Sequence, residues 1–196
     1  MNDQAPLDLG PQTKIVADLV AGVGDDRLTG PTPCPRYAVR NLLGHLAGLA
    51  VAFRDAGRKD FGPTTDTSPD SAVPDIGPGW REELPRVLAE LAEAWRDPAA
   101  LTGETRAGGV TLPAPVALAV AADELVIHGW DLARATGQSY APDPAALESA
   151  HAFVLATAAE PEPVPGLFGP PVDVPSDAPL LDRVVGLSGR DPGWRP

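Results

Sequence analysis

The run Ala121-Ala-Asp-Glu-Leu-Val-Ile-His-Gly-Trp-Asp-Leu-Ala-Arg-Ala135 decides the fold. Ala119, Ala122, Val126, Ile127, Trp130 and Ala133 leave it almost no polar face. A helix that is apolar nearly all round is a buried helix. Yet Glu124, His128 and Asp131 stand four and three residues apart, which makes them neighbours along one side of that helix. Ionisable groups inside a core are costly unless they are paired or hold a metal ion.

Working outward, Pro113 and Pro115 lead into this helix, and Gly137 supplies its stop. Upstream, Leu9 to Val23 predicts a first helix on the stripe Ile15, Leu19, Val23. Arg36 to Ala56 predicts a second, with Val39, Leu42, Leu43, Leu46, Leu49, Ala50 and Phe53 at three- and four-residue steps. His45 falls at the border of that stripe. Residues 57–79 are polar, rich in Pro, Thr, Ser and Asp, and aperiodic, a loop of the size that is usually functional or mobile. A third helix runs from about Trp80 to Trp95, and Pro85 places its start nearer Leu84. Leu101 to Leu112, around Gly108-Gly109, is a short hairpin or an extended loop.

Downstream, Pro144 opens a further helix to about Ala159, with Leu147, Val154 and Leu155 on one face. A Pro-rich segment, Glu160 to Pro175, precedes a short last helix near Pro179 to Leu187, for which Ser176 or Asp177 is the expected N-cap. Strand signals are nearly absent. The expected fold is all-α, an up-and-down four-helix bundle with extra C-terminal helical segments and a Pro-rich tail. Residues 1–159 form the bundle, and residues 160–196 an extension whose short helix packs on the same domain.

The whole chain, 196 residues with a formal charge of −12, argues against nucleic acid or an anionic membrane as partner. Met1 to Leu9 has no basic segment followed by an apolar core, and no span is long enough to cross a bilayer, so a cytoplasmic protein is expected. Cys34 is the only cysteine, which excludes an internal disulfide and a thiolate-rich zinc site. It reads as a small residue packed before the second helix.

Glu124 and His128 lie one helical turn apart and can address one ion from the same face, as inward-facing Glu and His do in bundle metal sites. The bland alternative is a buried Glu–His pair of structural value only. With three histidines in the chain, His45 and His151 compete for the third position, and spacing does not separate them. Two His and one Glu would leave a vacant position, which suits a catalytic zinc and could also hold iron or nickel. Asp131, one turn beyond His128, is either a partner for the free ring nitrogen of that histidine or an exposed residue near Arg134. Trp130 reads as core or pocket wall.

Three segments carry a resemblance. Thr32-Pro-Cys-Pro-Arg-Tyr-Ala-Val-Arg-Asn-Leu-Leu-Gly-His-Leu46 resembles the opening of the second helix in the mycothiol-dependent maleylpyruvate isomerase-like family, within the DinB/YfiT-like superfamily of metal-binding four-helix bundles. Glu124-Leu-Val-Ile-His-Gly-Trp-Asp-Leu-Ala-Arg-Ala-Thr-Gly137 continues it, and Phe168 to Pro179 followed by Gly189-Arg-Asp-Pro192 is similar to an actinobacterial branch. Tyr37 stands where the family usually has Trp. The resemblance implies a DinB-like bundle and a divalent metal, zinc first and nickel second, held by His45, Glu124 and His128. It thereby prefers His45 to His151. It also implies mycothiol as co-substrate.

The expected function is therefore a divalent-metal-binding protein acting as a thiol (mycothiol-type) S-transferase or isomerase on a small electrophilic molecule. The alternative is a non-catalytic metal or small-molecule binding module. Ala-rich outer helix faces are compatible with a homodimer.

Overall fold

The computed structural model describes residues 7–68, 71–159 and 167–196. In chain order the elements are α1 (Gly10–Ala21), α2 (Val39–Arg58), the single-turn α3 (Pro63–Asp66), α4 (Trp80–Ala94), β1 (Glu104–Ala107), β2 (Val110–Pro113), α5 (Ala114–Thr136), α6 (Pro144–Ala158) and α7 (Leu180–Leu187). Among the described residues the protein is all-α but for one hairpin, as expected. The expectations for residues 1–6, for part of the 57–79 loop (69–70) and for part of the Pro-rich segment (160–166) lie outside the described residues.

Four helices make the bundle. α1 packs on α4 and α5, and α2 packs on the same two helices, so the ring order is α1, α4, α2, α5. The amphipathic stripe of α2 fills the centre: Leu42, Leu43 and Leu46 are wholly buried. Each such leucine contributes roughly 1.5–3 kcal/mol of burial.

α5 is apolar all round because it serves two cores. Ala117, Leu118, Ala121, Ala122, Leu125 and Leu132 face the bundle. Val126, Ile127 and Trp130 form a second cluster with Ala146, Ala150 and Val154 of α6 and with Val184 and Val185 of α7. α6 therefore covers the side of α5 that a four-helix bundle would leave to solvent, and α7 packs on α6.

Several local expectations change. α4 starts at Trp80, not near Leu84, with Pro85 inside the helix. The missing Pro85 N–H would have bonded the Arg81 carbonyl, and Arg81 is exposed, where water can replace the donor. Gly79, in the left-handed region at φ 84°, turns the chain into the helix, and Glu82 and Glu83 in the first turn favour its N-terminal dipole. α7 is preceded by Pro179 without a side-chain cap, so neither Ser176 nor Asp177 is its N-cap. Residues 101–112 resolve to a hairpin in register Glu104 with Pro113 through Ala107 with Val110. Gly108 and Gly109 both take positive φ, 60° and 80°, as a two-residue type I′ turn requires.

The long loop is not structureless. It contains α3, and its last part crosses α2. There Arg40 grips Asp75 with Nε and Nη2, each at 2.7 Å, and Asn41 Nδ2 donates to the Pro74 carbonyl at 2.9 Å. Gly44 makes this approach possible, since a Cβ there would lie 2.6 Å from the Asp75 carbonyl carbon.

Candidate metal centre

The 3.6-residue repeat of α5 stacks Glu124 and His128 on one face, and packing brings His45 of α2 against them. His128 Nε2 lies 3.0 Å from Glu124 Oε2, His45 Nε2 lies 3.4 Å from the same oxygen, and the two histidine Nε2 atoms are 3.1 Å apart. These three residues form a His, Glu, His group that could hold a metal ion. Side-chain exposure falls from 24% at Glu124 and 13% at His45 to 10% at His128 and 0% at Asp131, so the approach from solvent is on the Glu124 side.

Behind His128 a second set of bonds runs inward. His128 Nδ1–H donates to Asp131 Oδ2 at 3.0 Å, and Asp131 is fully buried. Arg190, in the segment after α7, closes on the same carboxylate with Nε 3.0 Å from Oδ1 and Nη2 3.0 Å from Oδ2. Asp131 is thus neither exposed nor paired with Arg134, which instead lies over the Trp130 ring and donates to the Pro192 carbonyl.

The charges are set by this arrangement. Burial opposes ionisation of Glu124, but hydrogen bonds from His128 and His45 outweigh it and hold the carboxyl well below its usual range. Burial likewise opposes charging of His128, yet the bonds to Asp131 and Glu124 outweigh it and raise its pKa to about 9. Against burial, Arg190 and then His128 lower the Asp131 pKa. With Nδ1–H committed to Asp131, Nε2 is the His128 nitrogen that faces Glu124 and His45. Two imidazole nitrogens and a carboxylate oxygen at these distances repel unless a proton or cation lies among them. The donor set therefore fits a divalent ion: two imidazole nitrogens and one carboxylate, with Asp131 orienting one ring as metal-site carboxylates do.

His151 is elsewhere. It sits on α6, partly buried, with Nε2 3.3 Å from Arg183 Nη2. Tyr37, 8% exposed, places its ring 5.5 Å from that of His45, walling the cluster on the α2 side. Cys34 is a free, half-buried thiol in the turn before α2, packed against the bundle core. A surface concavity of about 520 Å³ lined by Gly57, Lys59, Glu93 and Arg96 contains no residue of the cluster.

Two charged residues beside the site, Asp123 and Arg190, escaped the sequence reading. Asp123 is 3% exposed on the α5 face of Ile127 and Trp130, and its Oδ1 has no hydrogen-bond partner among the described residues. Burial, then Glu124, pushes its pKa well up. An Asp inside an apolar helix was the available signal. Arg190 lay within the Gly189-Arg-Asp-Pro192 motif, but nothing local ties it to residue 131.

Fold and site together define a helical bundle that closes two histidines and a glutamate over one point between neighbouring helices. The chain belongs to the mycothiol maleylpyruvate isomerase N-terminal domain family, whose model matches residues 9–133. An uncharacterized protein of Mycobacterium tuberculosis, found in two strains, is 27% identical over 176 residues, covering 89% of this chain and 91% of the relative. The crystal structure of a mycothiol-dependent maleylpyruvate isomerase shares the fold at a TM-score of 0.52 and 19% identity. That match covers 73% of this chain and 65% of the isomerase, so this chain spans just under two thirds of its length. No helix among the described residues is long and apolar enough to cross a membrane.

Proposed function

We propose that the protein binds a divalent metal ion, zinc or nickel, through His45, Glu124 and His128, and uses it to activate a low-molecular-weight thiol of the mycothiol class toward a small electrophile. The observation that carries this reading is the convergence of His45 Nε2, Glu124 Oε2 and His128 Nε2 within 3.0–3.4 Å in a largely buried setting. Family membership supports the thiol.

Three protein donors leave a coordination position open, and a divalent ion there makes a thiol acidic at neutral pH. The residues of the chain account for the rest. Glu124 and Asp131 each carry one negative charge and Arg190 one positive charge, so a divalent ion leaves the set at about +1, which favours a monoanion such as a thiolate. Tyr37, whose ring lies 5.5 Å from that of His45, would border that anion. The thiolate adds through sulfur to a polarised carbon–carbon double bond. Proton capture by the adduct gives net S-transfer. Rotation about the new single bond and expulsion of the same thiolate gives isomerisation with the thiol returned.

Elemental analysis of purified protein, together with mycothiol addition to a panel of activated alkenes, tests this. One equivalent of metal and metal-dependent turnover are expected, both lost in His45→Ala and Glu124→Gln. Metal without turnover would instead establish a binding module, and no metal with intact fold would leave Glu124 and His128 as a structural pair.

A further inference from the structure

We infer that Arg190 is a positioning residue of the metal centre, holding His128 in its ligating orientation through Asp131. This inference rests on the metal-binding reading above. It also extends the site into a part of the chain outside the family match, which ends at residue 133.

The geometry is that of a relay with one carboxylate at its middle. Arg190 presents its planar fork to both oxygens of Asp131, Nε to Oδ1 at 3.0 Å and Nη2 to Oδ2 at 3.0 Å. Oδ2 is also the atom that accepts from His128 Nδ1 at 3.0 Å. A two-point clamp fixes the carboxylate plane, where a single bond would leave it free to rotate. The plane of Asp131 then sets the plane of the imidazole, and so the direction of the Nε2 lone pair. Small misorientations of such partners weaken metal sites because the lone pair must point at the ion.

Arg190 is itself held. Ser188 is the C-cap of α7, and Gly189 follows at φ 82°. Gly189 N–H donates to the Gly186 carbonyl and Arg190 N–H to the Val185 carbonyl, at 3.0 and 3.1 Å, which is a Schellman closure. It sends the chain back toward α5. A Cβ on Gly189 would lie 2.8 Å from the Gly169 backbone, so the residue before Arg190 has to be glycine on two counts. The Arg190 guanidinium also bonds the Ser188 carbonyl at 3.2 Å. One turn along α5, Arg134 pins the Pro192 carbonyl. The segment 188–192 is clamped to α5 at two points, and α7 is anchored by Val184 and Val185, both wholly buried.

The experiment is a Co(II) titration of the full chain in competition with a chelator, recording affinity and the visible absorption bands of the bound ion. Three variants accompany the wild type. Arg190→Gln removes the charge and the fork, Arg190→Lys keeps the charge without the fork, and Val184→Ala loosens α7 without touching Asp131. Arg190→Gln should bind Co(II) about 10–100-fold more weakly with shifted bands. Arg190→Lys should lie between it and wild type. Val184→Ala should lower the Tm while leaving affinity and bands unchanged. Wild-type affinity and bands in both Arg190 variants overturn the inference while leaving the metal site standing, as does an equal loss in Val184→Ala. A wild-type protein that binds no Co(II) overturns the metal reading and this inference together. If Arg190→Gln does not fold, Arg190→Lys against Val184→Ala decides.

Discussion

His45 Nε2 lies 3.1 Å from His128 Nε2, although the residues are 83 positions apart on different helices. Two imidazole nitrogens at that distance share a single proton or a cation; two lone pairs or two N–H groups would repel. Without an ion, the proton belongs to His128, whose pKa is about 9. A metal ion must displace it. Apparent affinity should therefore rise about tenfold per pH unit from pH 7 toward 9 and then level off. Calorimetry in two buffers of different ionisation enthalpy should show a proton released per metal bound near pH 7.5.

The same titration sets the alkaline stability of chelator-treated protein. A histidine raised above its unfolded value of about 6.5 stabilises fully below that pH, and the contribution disappears as pH rises through about 9. The lowered Glu124 carboxyl has the opposite sign: its contribution is present above its unfolded value of about 4.3 and is lost as pH falls. The Tm should thus decline between about pH 6.5 and 9 and again below about pH 4. A scanning-calorimetry series checks this, and His128→Gln should remove the alkaline decline.

Asp123 works against the fold. Its raised pKa means that unfolding lets it ionise, so it destabilises progressively as pH rises above about 4. Asp123→Asn, which cannot ionise, should gain about 1–3 kcal/mol at pH 7 in chelator-treated protein. Near pH 4 the gain should vanish. Equal urea midpoints at pH 7 would refute it.

Gly44 admits the strap over α2. In Gly44→Ala the new Cβ meets the Asp75 backbone at 2.6–2.7 Å, and the strap must lift. A loss of about 1–3 kcal/mol is expected. Faster hydrogen exchange at residues 75–77 should accompany it.

Gln12, wholly buried in α1, ties three elements together. Its Nε2 donates to the Leu125 carbonyl at 3.1 Å and to Tyr140 Oη at 2.9 Å, and its Oε1 accepts from Asp143 N–H at 2.9 Å. Gln12→Ala leaves a cavity and unmade buried bonds, for a loss of about 2–4 kcal/mol in chemical denaturation. Metal affinity should be unchanged, because none of these groups touches the cluster.

The sequence by itself determined what depends on a few consecutive residues. The stripe of α2 and the apolar run of α5 follow from side-chain period, and Glu124 and His128 share a face because four residues make one helical turn. Gly137 marked a helix end for the same local reason, whereas Gly108-Gly109 left a hairpin and an extended loop both open. His45 and His151 were equivalent on spacing. The family resemblance preferred His45, but only packing of α2 on α5 shows which ring faces Glu124 and which meets Arg183. The early start of α4 and the second core around Val126, Ile127 and Trp130 likewise required the neighbours to be in place. Arg190 reaches Asp131 across 59 residues. Such pairings are chosen by the burial summed over whole helices, a quantity no short window of sequence contains.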